Sequence, residues 1–128
     1  MLRILLIFGG GGLGATLRYL VQGWVQRWWG ATFPMGTLVV NISGCLVMGF
    51  LGGLFFGAWP INEDLRFGIL VGILGGYTTF SSFGWDALQL SSDREFLAAA
   101  GYVLLSVAIG LVAVWLGKQV SQLIYGIA

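Results

Sequence analysis

The residues with most scope for chemistry lie together in Gly75-Gly76-Tyr77-Thr78-Thr79-Phe80-Ser81-Ser82-Phe83. Two helix-breaking glycines and a run of hydroxyls fall in the middle of an apolar segment, Phe67 to Trp85, that is long enough to span a bilayer. Breaking a helix in lipid leaves backbone N–H and C=O groups unpaired, at several kcal/mol each, unless protein, water or an ion satisfies them. Broken helices carrying polar residues at mid-membrane depth are where channels and transporters place ions. The segment therefore predicts an ion path.

Further polar residues fall at helical spacing. Thr37 and Asn41, at i and i+4, share one face. They read either as an interhelical hydrogen bond or as the lining of an ion path. Tyr102, Ser106 and Gly110 form a second such face, with the alternative that Ser106 bonds back to its own helix. Phe80 and Phe83, at i and i+3, serve an anion only if their electropositive ring edges point at it. Arg18 lies inside an apolar stretch, where it either snorkels to the headgroups or places a fixed positive charge at a vestibule.

Absences narrow the chemistry. Apart from Asp93 and Glu95 at the very start of the fourth, three of the four apolar stretches hold no Asp or Glu, and Asp86 falls near the end of the third. Proton-coupled exchangers use a mid-membrane carboxylate and cation channels often use acidic rings. Amide N–H, hydroxyls and exposed backbone N–H are donors, and donors suit an anion. There is no His, and the single Cys45 reads as a small packing residue. The Gly9–Gly12 run lies within an apolar span and has no Walker pattern around it, so no phosphate loop is expected.

The elements that must position these groups are membrane helices. The chain is 58% hydrophobic and 9% charged over 128 residues, against about 25% charged in soluble domains. Charged residues divide it into four apolar spans in one membrane domain, at about 3–26, 34–58, 65–88 and 93–117, each near the roughly 20 residues a crossing needs. The fold class is all-α, with the third helix broken near its middle. Short connections are expected at Trp28–Phe33, Trp59–Asp64 and Gln89–Ser92, with Pro34 opening span two and Ser92 and Glu95 as a capping box before span four. The start of span one mimics a secretory signal peptide, but it reads as a first transmembrane helix. Trp24, Trp28, Trp29, Trp59, Trp85 and Trp115 form an aromatic belt near span ends. Glycines at four-residue spacing, Gly49-Gly53-Gly57 and Gly68-Gly72-Gly76, mark faces for close packing, between copies or within one. Arg3, Arg66 and Lys118 lie on one side and Arg27 and Arg94 on the other, so the positive-inside rule gives almost no orientation. A chain without orientation bias can insert both ways and pair antiparallel.

Three segments, Gly14-Ala15-Thr16-Leu17-Arg18-Tyr19, Gly36-Thr37-Leu38-Val39-Val40-Asn41-Ile42-Ser43-Gly44 and 75–83, lie on three spans in an order that resembles the Fluc or CrcB family of small bacterial fluoride channels. The resemblance implies a dual-topology antiparallel homodimer in the bacterial inner membrane, with two fluoride pores built from both chains. It also implies a structural, non-transported central Na⁺ held by the backbone carbonyls of Gly75 and Thr78 from each copy. Asn41, Phe80 and Phe83 would line the fluoride path, with Thr37, Thr79, Ser81, Tyr102 and Ser106 as further polar or flanking positions and Arg18 at a vestibule. Ser82 stands where relatives often carry Thr, and Gly110 where some carry a further serine. The expected function is passive fluoride export, without enzymatic chemistry. Rival readings are a small multidrug-type four-helix exchanger and a non-transporting scaffold subunit.

Overall fold

Long apolar runs without interior proline give helices whose backbone groups are satisfied internally, as lipid requires. The computed structural model describes residues 1–92 and 95–126. Among these, four segments are long and apolar enough to cross a membrane: Leu2–Trp29, Met35–Ala58, Glu63–Ser92 and Phe96–Tyr125. We label Leu2–Trp29 α1, Met35–Ala58 α2, residues 63–77 α3, Phe80–Ser92 α4 and Phe96–Tyr125 α5. All six tryptophans are exposed, as a belt facing headgroups requires.

Several boundaries differ from the sequence expectation. Gln89–Ser92 is helix rather than connection, and Ser92 Oγ donates back to the Leu88 carbonyl (2.9 Å). The fourth crossing starts at Phe96, with Glu95 as its N-cap and no side-chain cap bond, so the Ser92–Glu95 capping box does not form. It runs on to Tyr125 because the apolar pattern resumes after Lys118. Asp93, the expected start of that span, and Arg94, one of the orienting charges, lie outside the described residues. At the opposite end, Asn62 Oδ1 accepts from the Asp64 N–H (2.8 Å), and Glu63 and Asp64 occupy the first turn of α3, where its dipole favours acids. Arg3 ties α1 to that turn through Glu63 (2.7 Å) and Asp64 (2.8 Å).

The glycine faces are used within the chain. A Cβ on Gly76 would stand 2.6 Å from the Gly11 carbonyl oxygen, and one on Gly72 would stand 3.0 Å from that of Ile7. α1 and α3 therefore meet backbone to backbone. Gly49 and Gly117 bring α2 and α5 together in the same way. Gly75 and Gly76 do not break the helix; both are helical. Helical geometry stops after Tyr77. Thr78 is extended (φ −77°, ψ 156°), and helix resumes at Phe80.

Candidate functional site

Asn41 on α2 deals with the interruption. In a continuous helix the Thr79 N–H would bond the Gly75 carbonyl; here it donates to Asn41 Oδ1 (2.8 Å), and Asn41 Nδ2 donates back to the Thr79 carbonyl (3.0 Å). One carboxamide thus pairs both backbone groups of Thr79, as a neighbouring strand would. Thr79 also serves as the N-cap of α4. Its Oγ1 accepts from the Ser82 N–H (3.2 Å) and donates to Ser82 Oγ (3.1 Å), with Ser81 Oγ at 3.4 Å. The hydroxyl run is consequently part of the splice between two helices, and Thr79 is buried while Ser81 is exposed.

Beside the splice lies a groove of about 300 Å³, with Asn41, Thr78, Thr79, Phe80, Phe83 and Ser106 in its lining. The Phe80 and Phe83 rings lie 5.5 Å apart, and Phe80 is 83% exposed. Ser106 does not bond back to its own helix: its Oγ is buried with no hydrogen-bond partner among the described residues. An orphaned hydroxyl in a lipid-embedded groove calls for a ligand or water. Cys45 lines the same groove. A Cβ on Gly110 would meet Cys45 Sγ at 3.6 Å, an ordinary contact, so space alone does not require glycine there.

Thr37 and Tyr102 fall elsewhere. Both are fully buried, and they meet at Asp86: Thr37 Oγ1 donates to Asp86 Oδ2 (2.6 Å) and the Tyr102 hydroxyl reaches the same oxygen (3.4 Å). Thr37 and Asp86 border a separate polar cavity of about 350 Å³ near the α1–α2 connection. The Tyr102 ring lies 5.4 Å from that of Phe83, which lines the groove, and 5.6 Å from that of Phe33. Sequence reasoning missed Gln22 and Gln26, which join this cluster from α1; an amide pair at i, i+4 inside an apolar span was the available signal. It also treated Asp86 only as a span-end charge.

Arg18 neither snorkels away nor stands free. Its Nη1 donates to the Thr78 carbonyl (3.4 Å), at the C-terminal, electronegative end of α3. Gly75 is exposed, and its carbonyl lacks the usual bond from Thr79. Carbonyl oxygens suit a hard cation, which takes several of them. The Gly75 and Thr78 carbonyls fit such an ion in chemistry, and a second copy would double their number.

Known proteins match this chain along nearly all of its length. Residues 5–118 match the family model described as CrcB-like protein, Camphor Resistance (CrcB). The fluoride-specific ion channel FluC of Geobacter metallireducens is 43% identical over 122 residues, covering 95% of this chain and 98% of the relative. FluC of Nitrobacter winogradskyi is 40% identical over 121 residues, 94% and 96% of the two chains. FluC of Pseudomonas fluorescens is 42% identical over 120 residues, 94% and 97%.

Proposed function

The chain belongs to the CrcB-like family, and from that membership we propose that it is a fluoride-selective channel of the bacterial inner membrane that lets fluoride leave the cytoplasm passively. The observation that carries the reading is the groove. It sets the partnerless Ser106 hydroxyl, the second N–H of Asn41 and the two phenylalanine rings around one space. Asn41 Nδ2 gives one N–H to Thr79, and an amide nitrogen has two. The N-terminal end of α4 adds a partial positive charge at the same depth. Fluoride sheds water into this donor set and moves down its electrochemical gradient, so an inside-negative potential expels it. An ion channel of this kind performs no covalent step.

The interruption at Thr78–Thr79 is, on this reading, the mid-membrane break of the third span, and two antiparallel copies in dual topology form the working unit. Three features support the pairing: the exposed Phe80 at the groove, the exposed Gly75, and arginines at both ends of the bundle. Arg3 and Arg66 pair with Glu63 and Asp64 at one end, and because the positive-inside rule counts Lys and Arg rather than net charge, the near balance of arginines still gives almost no orientation. Na⁺ bound by the Gly75 and Thr78 carbonyls of both copies would supply fixed positive charge between the two break points. The exchanger reading lacks a carboxylate in the groove, and the scaffold reading leaves the splice without a purpose.

The test is ion release from liposomes carrying purified protein, read by fluoride and chloride electrodes under a K⁺/valinomycin clamp. Fast fluoride release without chloride is expected. Release of both ions would leave an anion pore and end the selectivity claim; no release from folded, inserted protein would end the channel reading.

A further inference from the structure

Gln22 on α1 donates through Nε2 to Thr37 Oγ1 (2.9 Å), and Thr37 Oγ1 in turn donates to Asp86 Oδ2 (2.6 Å). A hydroxyl has one proton, and a carboxylate oxygen only accepts. With that proton committed to Asp86, Thr37 can meet Gln22 only as an acceptor, so the amide must present its nitrogen. The direction of the chain is forced by the chemistry of its end. Asp86 Oδ2 also meets the Tyr102 hydroxyl (3.4 Å), and the Tyr102 ring lies against Phe83, which lines the groove. The approach of α1 is fixed independently. A Cβ on Gly36 would lie 2.5 Å from the Gln22 carbonyl oxygen, and Gln26 Oε1 accepts from the Gly36 N–H (3.0 Å) while its Nε2 donates to the Phe33 carbonyl (2.9 Å).

We propose that Gln22 is a positioning residue: by donating to Thr37 it orients the Thr37 hydroxyl onto Asp86 and, through Asp86 and Tyr102, holds Phe83 in place beside the groove. Successive hydrogen bonds in one direction polarise one another, so Gln22 strengthens the Thr37–Asp86 bond without touching either Asp86 or the groove. A second consequence follows for the donor set. The Thr37 and Tyr102 hydroxyls point their protons at Asp86, so neither is a donor to an anion while the chain is intact.

The test is a double-mutant cycle of Gln22→Met, which keeps length and removes the donor, with Thr37→Val. The first readout is independent of transport: the Asp86 carboxylate band in the infrared spectrum of purified, membrane-embedded protein, assigned by its loss in Asp86→Asn. Gln22→Met should shift that band in the native background and leave it unmoved in the Thr37→Val background. The second readout rests on the channel reading: Gln22→Met should slow fluoride efflux about two- to tenfold, the range expected for one neutral hydrogen bond, and add nothing to Thr37→Val. If Gln22→Met destabilises the protein, Gln22→Asn, which shortens the reach, replaces it in the same cycle. A band shift of equal size in both backgrounds would overturn the inference by showing that Gln22 acts through packing. An unmoved band in the native background would overturn it as well. Protein that moves no fluoride yet shows the Thr37-dependent band shift would sink the channel reading and keep the role of Gln22.

Discussion

Replacing Asn41 by leucine removes both bonds that splice α3 to α4 while keeping the shape of the side chain. The Thr79 N–H and C=O, paired at 2.8 and 3.0 Å in the native protein, would then have no protein partner on a buried residue. Each unsatisfied buried polar group costs about 1–3 kcal/mol, so the local penalty is about 2–6 kcal/mol. The lower end applies if water enters from the adjoining groove. Even about 2 kcal/mol corresponds to a roughly thirtyfold change in a local opening equilibrium, since every 1.4 kcal/mol is about tenfold. The assay is hydrogen–deuterium exchange resolved to the peptide that carries Thr79, in purified protein. Exchange there should accelerate at least about thirtyfold in Asn41→Leu, while the interior of α5 stays protected. If the Thr79 amide keeps its native protection, the splice does not depend on Asn41, and the account of how the interruption is tolerated in lipid fails.

Other outcomes follow from the same geometry. Ser106→Ala removes a hydroxyl that makes no bond, so stability should hold within about 0.5 kcal/mol while fluoride efflux falls; a marked loss of stability would show that the hydroxyl is structural. Phe80→Ile and Phe83→Ile should each impair fluoride flux and leave a dimer detectable in detergent; unchanged flux in both removes the rings from the path. Gly76→Val drives a side chain into the Gly11 carbonyl and should cost at least about 1–3 kcal/mol as overpacking, measured by thermal unfolding in detergent. Gly12→Ala, with nothing within 4 Å of the new Cβ, should be neutral or gain up to about 1 kcal/mol of helix propensity. Equal melting of these two variants would refute the backbone-to-backbone packing of α1 on α3.

The sequence made the spans and the residue types of the site legible, because apolar length and hydroxyl clustering are local properties. It did not reveal what those residues do for one another. Asn41 and Thr79 are 38 positions apart, and no periodicity announces that a carboxamide will pair a backbone on another helix. The two glycines suggested the place of the break because glycine costs helix stability, yet in lipid a helix keeps its hydrogen bonds wherever it can. Gly75 and Gly76 stay helical, and Gly76 is spent on the approach of α1; the interruption moves to Thr78–Thr79, where Asn41 and a capping hydroxyl can pay for it. The polar face Thr37–Asn41 divides for a similar reason. Asn41 turns to the splice and Thr37 to Asp86, so one helical stripe serves two cavities.

A single chain nevertheless leaves its most distinctive surface open. Phe80 is 83% exposed beside the groove, and Gly75 is exposed at the end of α3. Lipid would tolerate the ring, since hydrocarbon is as apolar as phenylalanine. It would not tolerate a carbonyl that has lost its helical partner, at several kcal/mol for a group with nothing to accept from. Arg18 answers for the Thr78 carbonyl (3.4 Å). The Gly75 carbonyl, released because Thr79 turned to Asn41, needs something from outside the chain. A cation shared between two copies would, on the proposed reading, meet that need and place fixed positive charge beside a groove lined with donors. On the proposed reading, the same hydrogen bond that splices the helix creates the site that joins two subunits.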